Sequence, residues 1–179
     1  MSLTRCFDAA YPPAFVPAGA GAVLGYISRI DEDNYHTWTP AEWLPFKGIR
    51  QFPVAELLIS DDPRQSAQAH VAAMRALGWN TGRALVGAME TYIDPRWWHL
   101  YEQQVIDLGQ WPVCYGSVST VYRNHPLRVW EAHYDGIPEI PAPPTPAVAK
   151  QYLSSGSMDW SVLSTELLVR GGEGPRRQP

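Results

Sequence analysis

The sequence predicts an α/β fold, a short and irregular (β/α) barrel of the TIM type in which several crossover helices are reduced to loops. Three observations carry this expectation. The same punctuation occurs twice: an apolar, strand-like run ends at Asp62-Pro63-Arg64 and another at Asp94-Pro95-Arg96, and the stretches that follow close on Leu77-Gly78 and Leu108-Gly109. Roughly eight short strand-like segments share 179 residues, too many for full βα units of about 32 residues each. The 14 Gly and 17 Pro, with a helix-poor stretch before residue 56, supply the loops that such a shortening needs. A barrel of this kind would fall well under the ~250 residues usual for its class. An open five-stranded doubly wound sheet is the alternative topology.

Each element follows from local chemistry. Residues 5–9, 22–28 and 51–59 are apolar and β-prone, as are 85–93, 111–117, 128–134 and 149–153. After 51–59 and 85–93 the Asp-Pro pair marks a helix start, because the carboxylate accepts an orphan amide hydrogen bond and Pro has no N–H to leave unpaired. Gly after Leu marks the helix end, where the chain turns left-handed. Val71, Met74 and Leu77 in the first helix, and Trp97, Tyr101, Val105 and Leu108 in the second, follow helical spacing and should face a core. Strand–helix–strand units of this length imply parallel pairing with crossover helices. Residues 141–147 (PAPPTPA) should run as an extended surface loop, and 158–160 simply follow the last strand-like run. Residues 1–170 are expected to form the barrel and 171–179 (GGEGPRRQP) a flexible tail.

Composition excludes several function classes. A net charge of −4 offers no basic footprint for nucleic acid. No apolar run is long enough to span a bilayer, and the first ten residues lack the apolar region of a signal peptide. The reading is a soluble protein, cytoplasmic as synthesised, or virion-associated or released to the cell wall by another route. Cys6 and Cys114 lie in separate strand-like runs and read as buried thiols. No cofactor or metal is expected. Gly19, Gly21 and Gly25 precede a strand where a dinucleotide loop would follow one, and Asp31–Asn34 lacks the glycine of a calcium loop. The five His at 36, 70, 99, 125 and 133 show no zinc spacing, and Ser117 has no nucleophile elbow around it.

Four carboxylates remain, placed near strand ends where barrel enzymes hold their chemistry: Asp8, Glu90, Glu131 and Asp159. Strand alternation puts Glu90 on the face of Val86 and Ala88, toward the barrel mouth. A carboxyl among apolar neighbours holds its proton to higher pH and can act as a general acid. Tyr35, Trp38, Trp43, Tyr92, Trp97, Trp98, Trp130 and Trp160 lie near these acids in sequence and are candidates for a sugar-stacking groove.

The ordered set of a Phe-Asp near the N-terminus, LVGAMET, VCYGS, RVWEAHYD and then AKQY followed by MDWSV resembles the family-25 glycoside hydrolases. These are lysozyme-like muramidases of bacteria and phages, with related glycoside-hydrolase-like domains in actinobacteria. The resemblance spans about residues 5–165. It implies a peptidoglycan or related N-acetylated cell-wall glycan as partner and substrate. Asp8 matches the family's N-terminal Asp, Glu90 the Glu of its Asp-x-Glu motif and Asp159 the Asp after Gln-Tyr, with Glu131 a reserve partner. The same strands bring Tyr115, His133 and Gln151 forward as substrate contacts. Ala88 stands where the family has the first Asp of that motif. The alternative implied by that departure is an inactive glycan-binding or structural subunit, for example of a phage tail or an envelope-associated assembly.

Overall fold

The computed structural model of the chain describes residues 3–28, 36–89, 91–142 and 144–172. Eight strands close into a barrel in chain order: β1 (Thr4–Asp8), β2 (Ala22–Ser28), β3 (Arg50–Glu56), β4 (Ala84–Met89), β5 (Trp111–Ser117), β6 (Val129–Ala132), β7 (Ala147–Ser155) and β8 (Met158–Leu163). β1 to β7 run parallel. β8 runs antiparallel to both β7 and β1 and closes the barrel. The expected barrel is therefore the observed architecture, and the open sheet is not. One element departs from the sequence reading: residues 158–163 form a strand, joined to β7 by a tight turn at Gly156, whose φ of +64° suits glycine.

The helices show how the barrel is shortened. α1 (Pro40–Trp43), α4 (Val118–Arg123) and α5 (Thr165–Leu168) are one or two turns each, whereas α2 (Pro63–Ala76) and α3 (Pro95–Asp107) are full crossovers. The Asp-Pro signals are borne out. Asp62 accepts from the Arg64 and Gln65 amides at 3.0 and 2.9 Å, and Asp94 from the Arg96 amide at 2.8 Å. Where a crossover helix is missing, aromatic side chains cover the outside of the sheet. Over β2, Trp38 and Trp43 lie 4.8 Å apart between ring centroids, with Phe46 and Trp79 packed against them at 5.4 and 5.0 Å.

Two apolar layers result. Cys6, Leu24, Phe52, Val54, Val113 and Trp130 fill the barrel interior, while Phe7, Val23, Leu85, Cys114 and Val129 face outward under the helices and loops. Both cysteines are buried free thiols, and burial pushes their pKa values up. α5 closes the bottom of the barrel, inserting Leu167 into the interior layer. Gly171 and Gly172, assigned above to the tail, are buried; Gly172 exchanges two 2.9 Å backbone hydrogen bonds with Gln51, and Arg83 Nη1 donates to the Gly171 carbonyl.

α2 and α3 meet through His70, whose Nδ1 lies 3.1 Å from the Tyr101 hydroxyl. Burial pushes the His70 pKa down from 6.5 to about 4, with the Asp61 charge opposing. An unfolded imidazole takes a proton near 6.5 that the folded one refuses until about 4. This contribution is complete above pH 6.5 and is lost as pH falls toward 4, a change of about 3 kcal/mol at 1.36 kcal/mol per unit. Urea midpoints measured at either end of that window should show the decline, and His70→Gln should flatten it.

Candidate functional site

The C-terminal rim of the parallel strands carries a cavity of about 320 Å³ lined by Asp8, Tyr26, Tyr115, Tyr134, Ser154, Ser157 and Asp159, with Ala9, Ala10 and Gly156. Strand parity explains the set. Interior-facing residues alternate along each strand. Below the rim, Cys6 on β1, Leu24 on β2 and Val113 on β5 fill the barrel, so Asp8, Tyr26 and Tyr115 continue those columns to the mouth. Asp159 is the second residue of β8 and, because that strand is reversed, reaches the same rim as the ends of the parallel strands.

Gln151 on β7, fully buried, ties the site together. Its Nε2 donates to Asp8 Oδ2 at 3.0 Å. Its Oε1 accepts from the Tyr115 and Tyr134 hydroxyls, at 2.5 and 2.8 Å, and Tyr134 also reaches Asp159 Oδ2 at 3.3 Å. Burial, then the charges of Asp159 and Asp8, push the Tyr134 hydroxyl well above the usual tyrosine pKa. Asp8 and Asp159 are direct cross-strand partners in the β1–β8 ladder. Like charges placed opposite one another destabilise a sheet, so this pair costs stability where it stands.

The expected site residues divide into those the fold brings together and those it does not. Asp8, Asp159, Tyr115 and Gln151 converge on the mouth. Glu90 and Tyr35 lie outside the described residues, as does the acidic run 31–34. Glu131 is on the other face of its strand: Trp130 points inward, donating its Nε1 to Ser161 Oγ at 3.1 Å, and Glu131 points outward. There Tyr122 donates to Glu131 Oε2 at 3.0 Å, and burial together with that bond pushes the Tyr122 pKa up to about 12. His133 is on that outer side as well, its Nδ1 3.8 Å from Asp135 and 4.0 Å from Glu131. Lys150 completes the cluster with a 2.7 Å ion pair to Asp135, whose pKa is thereby lowered.

None of the candidate tryptophans lines the cavity. Trp38, Trp43, Trp97 and Trp98 pack in the outer layer, and Trp97 Nε1 donates to the Asp61 carbonyl at 2.8 Å. Trp130 fills the barrel interior, and Trp160 lies outside it against Phe7 with Arg5 over its ring. Tyr92 is exposed beneath the Arg123 guanidinium, apart from the mouth. Three tyrosines take the place of the expected indoles. Sequence reasoning missed Tyr26 and Tyr134, though both follow from parity once Leu24 and Trp130 are assigned inward. It also missed Glu56, which ends β3 on the column of Phe52 and Val54, is 6 % exposed and is the strand partner of Ala88. A carboxylate inside the run FPVAELLI was the available signal.

No family model and no curated protein matches the sequence. Solved structures do match the fold. A protein from B. stearothermophilus described as uncharacterized superposes with a TM-score of 0.75 at 16% identity, over 94% of this chain and 100% of that one. A glycosyl hydrolase 25 of Streptococcus pneumoniae, named GHIP and described as participating in host cell invasion, gives 0.65 at 13%, over 91% and 88%. The modular autolysin LytC of the same organism, solved with a synthetic peptidoglycan ligand, gives 0.60 at 14%, over 89% of this chain and 46% of that longer protein. The chain thus has a glycoside-hydrolase-25-like fold, with its polar mouth cluster at the C-terminal rim where this barrel architecture carries its sites.

Proposed function

We propose that the chain binds a cell-wall glycan of the peptidoglycan class in the mouth cavity and hydrolyses it, with Glu90 as general acid and Asp8 and Asp159 as the partner carboxylates. The observation that carries this reading is the bonded set Asp8–Gln151–Tyr115–Tyr134–Asp159 around the rim cavity. The volume suits one or two sugar rings, near the lower end of the ~300–1,000 Å³ typical of ligand sites. Glycoside hydrolysis uses two carboxyl groups, ~5–5.5 Å apart in retaining enzymes and ~6.5–9.5 Å in inverting ones. Opposed residues of an antiparallel ladder start with Cβ atoms ~4.5–5.5 Å apart, so Asp8 and Asp159 can share one reacting centre. Similarity to a glycosyl hydrolase and to an autolysin solved with a peptidoglycan ligand supports the choice of substrate class.

Ala88 favours a second reading, in which the site binds glycan without cleaving it. Its methyl group is buried beside Glu56 and offers no carboxylate from β4 at that position. One experiment separates the two. Purified protein is incubated with labelled cell walls, and reducing ends and co-sedimentation are measured for wild type and Glu90→Gln. Hydrolysis predicts reducing ends from wild type and a drop of at least ~100-fold in the variant, the scale of a lost general acid. Co-sedimentation without reducing ends selects the binding reading, and neither result rejects both.

A further inference from the structure

The hydrogen bonds of the mouth have a direction. Gln151 is fully buried, its Nε2 donates to Asp8 and its Oε1 takes the protons of the Tyr115 and Tyr134 hydroxyls, the latter shared with Asp159. The Tyr115 and Tyr134 protons therefore point into the floor, and those two oxygens are left as acceptors. Ionised Asp8 and Asp159 can only accept. Among the described residues that line the cavity there is no Lys, Arg or His, and its neutral side-chain donors besides Tyr115 and Tyr134 are the hydroxyls of Tyr26, Ser154 and Ser157. Asp8 and Asp159 are cross-strand partners lining the same cavity, so two carboxylates face one space. A surface of acceptors with negative charge suits a group that brings donors and positive charge.

We propose that this cavity selects amino sugars whose amine is free and protonated over the same sugars in N-acetylated form. The inference rests on the glycan reading above and specifies its substrate class as de-N-acetylated wall glycan. An ammonium group carries three donors and no acceptor, matching the mouth. An acetamido group carries a carbonyl oxygen that needs a donor, and the Tyr115 and Tyr134 protons are already taken by Gln151, with no cationic donor in the lining to replace them. A charge-assisted bond from the ammonium to a carboxylate is roughly twice as strong as a neutral one.

The test is calorimetric titration of the full chain with glucosamine tetramer and N-acetylglucosamine tetramer. It is run at about pH 6, below the ~7.7 typical of an amine beside electron-withdrawing carbons. The amine form should bind about tenfold tighter, and the preference should shrink with added salt as the charges are screened. Asp159→Asn should lower the ratio of amine to acetylated affinity about tenfold, which a folding defect, weakening both alike, would not do. Equal or tighter binding of the acetylated tetramer overturns the selectivity and leaves the glycan reading standing. Tetralysine bound as tightly as glucosamine tetramer also overturns it, because charge alone would then account for the result. If neither tetramer binds and the protein does not co-sediment with walls, the glycan reading falls as well.

Discussion

Gly25→Val is expected to lower the unfolding free energy by about 3 kcal/mol or more, the upper range for overpacking a core. A Cβ at this position would lie 2.6 Å from Trp43 Cη2 and 2.7 Å from Trp38 Cδ2 and Cε3. Neither indole can retreat, because both are fully buried and each is held by further rings. For a chain of this size the melting temperature should fall by roughly 6–12 °C, read by circular dichroism. Gly25→Ala should already carry much of the loss. Combining it with Trp43→Phe, which removes the nearest carbon, should give less than the sum of the two single effects. A Gly25→Ala variant as stable as wild type would mean that the aromatic layer packs more loosely than these contacts require.

Gln151→Leu is the second large effect, expected to weaken glycan binding more than tenfold and to cost about 1–2 kcal/mol of stability. The substitution removes the 3.0 Å donor from Asp8 and the acceptor shared by two tyrosine hydroxyls. The groups left behind sit at the open mouth, with Tyr134 exposed and Asp8 and Tyr115 part-buried, so the cost lies toward the low end of the ~1–3 kcal/mol of a fully buried orphan. Gln151→Glu distinguishes a positioning role from simple packing. Its carboxylate can still accept from both tyrosines but faces Asp8 as a like charge, so binding should be weak near neutrality. Acidification that protonates the introduced carboxylate restores a donor toward Asp8, and binding should recover. Titration by intrinsic fluorescence across that pH range checks it, and a flat profile would show that Gln151 acts only by filling space.

The legibility of this fold differs from element to element for physical reasons. α2 and α3 were readable because Asp-Pro and Leu-Gly mark the points where helix ends must satisfy their own backbone groups. β8 was not, because the turn at Gly156 is short and the strand after it mixes polar and apolar residues without a break. Asp8, Asp159 and Gln151 are named from the sequence and lie together at the mouth, yet the parity of Glu131 was not assigned. β6 carries a large apolar residue on each face, with Val129 in the outer layer and Trp130 in the interior, so composition does not say which side faces the mouth. The same ambiguity misdirected the tryptophans. An indole beside a carboxylate in sequence suggests a sugar platform, but here Trp38 and Trp43 stand in for a missing crossover helix, Trp97 and Trp98 belong to α3 and Trp130 fills the interior, roles visible only once the strands are paired.

The pairing of β1 with β8 bears on the order of folding. Thr4 meets Leu163 and Asp8 meets Asp159, so the barrel cannot close until nearly the whole described chain is available. During synthesis β1 can find only β2, whereas β3-α2-β4-α3-β5 can assemble from local contacts as it emerges. Contacts between distant parts of a chain form slowly because loop closure must precede them. The central βαβαβ segment is therefore the natural nucleus and the β1–β8 seam the last event. Since Asp8 and Asp159 sit on that seam, the mouth cluster is assembled only when the barrel closes.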